Sequence, residues 1–303
     1  MKRTTLFTCS IYPDLTRVWY HFARRYTDAS CVQYVIYDCG SRLRKEYFPD
    51  VLIVRYPNVD HGRKIDDCVR KVVDTPLMFL SDDDAFILSD QAEPMAARAL
   101  LDDGKAAALS FKPREWWEFE IDGLRHPVMG SYSLVFKPEV IKKESLSFRT
   151  RPTDEPDIRQ GSGYYDTADY ANKQLLLKGY RIIVPEKDAR RELVLSYSAV
   201  SSAFLNFARR RWLSRDYHLT KPLDLQAQDF RSDTRKLEWA CGVSATISLY
   251  RTLFRERPRF EDFFNYDDLE ELVESIQEPS AREKAISLVK GYRCLLTTLE
   301  EAA

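Results

Sequence analysis

Apolar residues fall into short β-rich runs that alternate with stretches where they recur three or four positions apart. Leu6-Phe7-Thr8-Cys9 predicts a first strand, after which Val18, Phe22 and Tyr26 take helical spacing. Val32 to Tyr37 predicts a second strand that stops at the turn-forming Asp38-Cys39-Gly40-Ser41, and Val51 to Val54 a third. Between Gly62 and Val73, Ile65, Cys68, Val69, Val72 and Val73 form one apolar helical stripe, ended by Thr75-Pro76. A strand at Leu77–Ser81, a helix over Gln91–Leu101 and strands at Ala106–Phe111 and Tyr132–Phe136 follow. A polar stretch from Arg149 to Gly163 reads as a loop. Next come a helix opened by Tyr165–Tyr170 and closed at Lys178-Gly179, and a final strand at Arg181–Pro185.

After about residue 190 the strand signals fade. Val200, Ala203, Phe204 and Phe207 predict a helix running into Arg209-Arg210-Arg211-Trp212, and Leu269, Leu272, Val273 and Ile276 another. Ser280 with Glu283 makes a capping box for a last helix carrying Leu288, Tyr292, Leu295 and Leu299. The expected class is α/β: a mostly parallel, Rossmann-like sheet with helices on both faces over residues 1–190, and a helical C-terminal extension over 191–303.

The 303 residues, 44% of them hydrophobic, are enough for a full core. Lys and Arg total 46 against 47 Asp and Glu, which argues against a nucleic-acid binder. Six scattered cysteines without CxxC spacing point to free thiols in a reducing compartment. There is no signal-peptide stretch and no run of about 18 apolar residues. The expectation is a soluble cytoplasmic protein, with Arg209–Trp212 offering either a peripheral contact to anionic lipid or a solvated helix end.

The chemistry concentrates where Asp82, Asp83 and Asp84 follow the apolar run Leu77–Ser81. Three adjacent carboxylates repel one another. They form either a charged turn or a hard-oxygen site for Mg²⁺ or Mn²⁺, which could carry a diphosphate. Asp38 also lies at a predicted strand end, and in parallel sheets ligands bind at the carboxyl ends of strands.

Four segments give residues 4–187 a resemblance to nucleotide-sugar-dependent glycosyltransferases of the GT-A fold, nearest to family 2. Val35-Ile36-Tyr37-Asp38-Cys39-Gly40-Ser41 is similar to the strand that holds the nucleotide base and ribose. Asn58-Val59-Asp60-His61-Gly62-Arg63-Lys64 is similar to the loop before the helix that leads to the metal strand. Phe79-Leu80-Ser81-Asp82-Asp83-Asp84 fits the DxD motif. Asp166-Thr167-Ala168-Asp169, with Lys178-Gly179-Tyr180-Arg181 after it, is similar to the acidic motif ahead of a helix ending in Gly-Tyr. Two departures stand out: Asp166 and Asp169 are three apart where the family has adjacent acids, and the first-strand loop Cys9–Asp14, with Tyr12, matches only loosely.

The resemblance implies a metal-dependent, inverting transfer from a nucleotide sugar, UDP-linked by preference, to a glycan or glycolipid acceptor in cell-surface polysaccharide synthesis. Asp82 and Asp84 would hold the metal, with His218 a further ligand or a surface residue. Tyr12, Asp38, Ser41, Arg63, Lys64, Asp82 and Asp83 would bind the donor. Asp38 has an alternative reading as a turn former, and Arg63 and Lys64 as the solvated first turn of a helix. His61 is a weaker candidate. Asp166 or Asp169 would be the general base, Asp166 preferred because it lies in the loop, and either could instead cap the next helix. Trp116 and Trp117 would stack on the acceptor or sit in the core. A sugar-phosphate nucleotidylyltransferase, for which Phe7–Asp14 lacks the glycine-rich loop, and a non-catalytic binding module are the alternatives.

Overall fold

Every residue of the strand Leu77–Ser81 is buried, as expected of a central strand covered on both faces. In a computed structural model of the chain, residues 2–114, 118–153, 164–196, 230–258, 273 and 279–303 are described. The strands are β1 (Thr4–Ser10), β2 (Val32–Asp38), β3 (Val51–Arg55), β4 (Leu77–Ser81), β5 (Ala85–Ile87), β6 (Ala106–Ser110), β7 (Glu118–Ile121), β8 (Leu124–Pro127), β9 (Ser133–Phe136), β10 (Arg151–Pro152), β11 (Tyr164–Tyr165), β12 (Arg181–Ile183) and β13 (Val194–Ser196). The helices are α1 (Pro13–Tyr26), α2 (His61–Lys71), α3 (Ala92–Leu101), α4 (Pro138–Lys143), α5 (Asp169–Leu177), α6 (Lys187–Leu193), α7 (Phe230–Phe254) and α8 (Pro279–Ala302).

Seven strands form one sheet in the order β12-β6-β9-β4-β1-β2-β3. All pairings are parallel except those of β9, which runs antiparallel between β4 and β6. This is the predicted α/β class. Alternate side chains separate the two faces. Phe7, Val35, Tyr37, Met78, Leu80, Leu134 and Phe136 share a core with Ile65, Val69, Ile141 and Leu175 of α2, α4 and α5. The other face carries Tyr20 and Phe22 of α1 against Tyr34 and Phe86, and α3, whose Glu93 accepts hydrogen bonds from Thr4 and Arg3.

Residues Met1–Ile11 and Tyr20–Leu195 make one compact unit, and Tyr12–Trp19 with Ser196–Ala303 a second. In the second unit Arg17 donates to the Tyr250 hydroxyl at 2.9 Å and to Glu256 at 2.6 Å, its guanidinium 4.0 Å above the Phe254 ring. Thr252 of α7 donates to Glu300 of α8. Helix α7 was not anticipated. From Cys241 to Tyr250 nearly every side chain is buried, so the segment shows no single apolar stripe. The last helix begins at Pro279, which places the predicted cap Ser280 inside the first turn. The helix expected around 200–212 lies outside the described residues, and of the 269–276 helix only Val273 is described, in helical conformation.

The main unit depends on a close backbone approach at the start of α2. A Cβ on Gly62 would lie 2.2 Å from the Phe148 carbonyl oxygen and 2.6 Å from the Arg149 Cα, both backbone atoms. Gly62→Ala is therefore expected to cost about 3 kcal/mol of unfolding free energy in urea denaturation, as overpacking against rigid backbone does. An unchanged midpoint would show that α2 can shift freely.

Candidate functional site

The parallel order brings the carboxyl ends of β1, β2 and β4 to one edge of the sheet, together with the start of the antiparallel β9. Ser81 faces Ser133 in the ladder, and Asp82 N–H donates to the Tyr132 carbonyl at 2.8 Å. The aspartate run is not an extended continuation of β4. Ala85 N–H donates back to the Asp82 carbonyl at 3.0 Å, closing a turn between β4 and β5. Asp83 and Asp84 are buried and Asp82 is half-buried. Burial, and then the charges of Asp84 and Asp83, push the Asp82 carboxyl well above the usual carboxylate range, while Lys112 and Lys64 pull it down. Asp84 raises it more than the adjacent Asp83 does.

His61, the first residue of α2, lies beside this carboxylate. Its Nε2 is 3.4 Å from Asp82 Oδ1 and its Nδ1 is 3.4 Å from Cys9 Sγ on β1. Burial, and next the Lys64 ammonium, hold the imidazole down at about 4, so it is neutral at pH 7 and the Asp82 contact is not an ion pair. In the sequence His61 carries little weight, because a loop histidine is usually solvated; sheet order places it against the carboxylates.

The two basic residues of this helix separate. Lys64 is buried, donates from Nζ to Asn58 Oδ1 at 2.8 Å, and acts electrostatically on Asp82, His61 and Cys9. Arg63 is exposed, and its charge falls on Tyr56 and Asp67. Its backbone N–H is capped by Asp60 Oδ1 at 3.0 Å. Asp38, at the end of β2, accepts from the backbone N–H groups of Gly40, Arg42 and Leu43 at 3.2, 3.2 and 3.0 Å. It thus shapes the loop that exposes Ser41, which takes a left-handed φ of 52°. Tyr12 is half-buried, and its carbonyl accepts from Thr16 at the start of α1; it belongs to the second unit.

The acidic pair downstream is organised by a residue that sequence reading missed. Arg114 is fully buried, its Nε 3.0 Å from Asp169 Oδ1 and its Nη2 3.2 Å from Asp166 Oδ2. Asp169 is wholly buried and accepts from the Asp166 N–H at 2.8 Å through Oδ2. Asp166 keeps 28% of its side chain exposed, and its charge reaches His61. Ala168 between them has a left-handed φ of 72°, a conformation disfavoured for a residue with a Cβ. No local pattern marks Arg114, since its partners lie more than fifty residues away. Gly130 lets this region close: a Cβ there would lie 2.1 Å from the Lys112 carbonyl oxygen.

His218, Trp116 and Trp117 lie outside the described residues, as does Arg209–Trp212. Among the described residues, no group of three or more His, Cys, Asp and Glu side chains is arranged to hold a metal, and no helix is long and apolar enough to cross a membrane. The donor chemistry of the aspartates nevertheless fits a hard cation. The crowded charges that raise Asp82 are what a divalent ion would relieve, and Mg²⁺ is commonly held by only one or two carboxylates plus substrate phosphates.

No family model matches the chain, and no curated protein matches it. Among solved structures it is similar to a mannosyltransferase, PcManGT, from Pyrobaculum calidifontis in complex with GDP-Man and Mn²⁺. The identity is 15% over 98% of this chain and 84% of that one, with a TM-score of 0.43. It is similar to S. aureus TarS 1-349 at 10% identity, over 99% and 90% of the two chains, TM-score 0.43. It is also similar to a 4-diphosphocytidyl-2C-methyl-D-erythritol synthase at 12% identity, over 63% and 91%, TM-score 0.39.

Two outcomes test this geometry. Arg114→Leu strands the buried Asp169 charge and is expected to cost about 3–5 kcal/mol in urea unfolding, much of it recovered in Arg114→Leu/Asp169→Leu. Additive losses in the double variant would deny the pairing. For His61, a folded value near 4 lies below the unfolded value of about 6.5, so its contribution is complete above pH 6.5 and lost as pH falls through 4. The stability advantage of the wild type over His61→Gln should shrink between pH 7 and pH 4, and parallel pH profiles would refute the depressed imidazole.

Proposed function

We propose that the unit built on the seven-stranded sheet is an inverting, metal-dependent glycosyltransferase. It would move a sugar from a nucleotide-sugar donor, UDP-linked by preference, to a glycan or glycolipid acceptor, in cell-surface polysaccharide synthesis. The observation that carries this reading is the convergence, at one sheet edge, of the Asp82–Asp84 carboxylates, the buried Lys64 ammonium and a half-exposed Asp166 whose charge reaches the same histidine.

In this reading Lys64 sits where it can oppose the charge of a diphosphate, and the loop shaped by Asp38 and carrying Ser41 borders the nucleotide. Arg63 faces Tyr56 and Asp67, which leaves Lys64 as the basic residue of the helix directed at the carboxylates. Asp82 and Asp84 would hold Mn²⁺ or Mg²⁺, which when bound supplies the positive charge that a departing diphosphate needs. Asp166 takes the proton from the acceptor hydroxyl. Arg114 and the Thr167 N–H, each on a different Asp166 oxygen, fix the carboxylate while lone pairs remain for the acceptor. Asp169, wholly buried against Arg114, positions that assembly. Trp116 and Trp117, shortly after Arg114 in the chain, are assigned to the acceptor, and His218 remains a candidate metal ligand.

The test is a screen of UDP-, GDP- and CDP-linked sugars for Mn²⁺-dependent hydrolysis and for a shift in melting temperature. Asp166→Asn is expected to lower transfer at least about a hundredfold while keeping the donor-induced shift. If no nucleotide sugar shifts the melting temperature with Mn²⁺ present, the donor site is wrong. If a folded Asp169→Asn is inactive while Asp166→Asn transfers normally, the base is Asp169. Release of pyrophosphate from a nucleoside triphosphate and a sugar phosphate would instead identify a nucleotidylyltransferase.

A further inference from the structure

Beside α2 lies a cleft of about 420 Å³ lined by Asp66, Arg70, Ser147, Arg149, Thr150 and Arg151. A second cleft, of about 310 Å³, shares Asp66 and Arg70 and adds Lys142 to the basic groups. Among the described residues that line the two clefts, three arginines and a lysine stand against a single carboxylate, and the Lys142 ammonium also donates to the Val73 carbonyl at 3.3 Å. That carboxylate is committed to the protein. Asp66 is buried, accepting from the Phe148 N–H at 2.9 Å and the Ser147 hydroxyl at 2.6 Å, with Arg149 Nε at 3.6 Å. The Arg151 guanidinium lies over the Tyr170 ring at 3.7 Å, a stacking that uses its face and leaves its in-plane N–H donors for other partners. Among the described residues no carboxylate pairs with Arg70, which is exposed. Among the described lining residues the charge balance is therefore positive, carried chiefly by planar, multi-donor groups, with Thr150 beside them; the Ser147 proton is already given to Asp66. Guanidinium groups match phosphate and carboxylate oxygens in this way.

The position of the cleft says which substrate would bring the anion. Its Arg149 wall is the backbone segment that packs on Gly62 at the start of α2. Its Arg151 wall is β10, paired with Tyr165 of β11, the residue immediately before Asp166. The cleft thus borders the chain that delivers the proposed base, not the strand end that carries Asp82.

We propose that this cleft binds an anionic group, phosphate or carboxylate, on the acceptor. The word acceptor rests on the glycosyl-transfer reading above; the anion site does not. Ligand titration calorimetry in low-salt, metal-free buffer tests it, using inorganic phosphate, trigalacturonate and neutral maltotriose as probes. Phosphate or trigalacturonate is expected to bind, maltotriose not, and binding should weaken as salt is raised. The tighter anion identifies the source of charge. Arg70→Gln and Arg149→Gln should each weaken binding about tenfold or more. Arg70 is exposed on a helix, so its variant remains informative if Arg149→Gln fails to fold.

The inference is overturned if neither anion binds, if both variants bind as the wild type does, or if binding is lost only in Lys64→Met, which would place the anion beside Asp82. The titration contains no nucleotide sugar. A failed donor screen would therefore remove glycosyl transfer and the word acceptor, and leave the result at the cleft readable by itself.

Discussion

The buried guanidinium of Arg114 is the constraint around which the candidate site is built. A charge removed from water is tolerated only when opposite charges lie close to it, and here two aspartates from one loop supply them at 3.2 and 3.0 Å. The consequence extends past the ion pair. Asp169 must stay inside and Asp166 must turn its other oxygen to the Thr167 N–H. Ala168 is held at a positive φ that it would not choose by itself. Three residues of a short loop thus take positions that a packed arginine over-determines, and the carboxylate left half-exposed is placed with little freedom.

The aspartate turn after β4 shows the opposite balance. Asp82 sits next to two buried carboxylates, with a neutral histidine at 3.4 Å and the ammonium groups of Lys64 and Lys112 as the opposing charges. The result is an acid held partly against its ordinary ionisation. Such local cost is common at sites that bind charge, because the ligand completes the electrostatics that folding leaves uneven. The two acidic centres are joined by His61, which contacts Asp82 and feels Asp166.

The fold was legible where periodicity and burial agree. All seven strands of the main sheet announce themselves as apolar runs; β1, β4 and β6 are covered on both faces, while β3 and β12 are partly exposed. The short hairpin β7–β8, the two-residue β10 and β11, and β5 carry too few residues for a period to register. Helix α7 failed for the reverse reason: between Cys241 and Tyr250 it is buried around most of its circumference, so no single apolar stripe stands out. The start of α8 falls two positions before the one that Ser280 as a cap implies, because proline at the first helical position competes with serine as a start signal.

For the site, the chain announced residue types and order: an acidic run behind a buried strand, an aspartate at a neighbouring strand end, and a loop with two acids before a helix. Those follow from local rules, since hydrophobic period sets the strands and short polar segments mark their ends. What folding alone settled is which of these residues face one another. Lys64 turned inward and Arg63 outward because α2 packs at Gly62 on the Phe148–Arg149 backbone. Asp166 and Asp169 took different environments because Arg114, fifty-two residues before Asp166, is buried against both. Such pairings join positions far apart in the chain, and their energy comes from burial that exists only once the sheet is assembled.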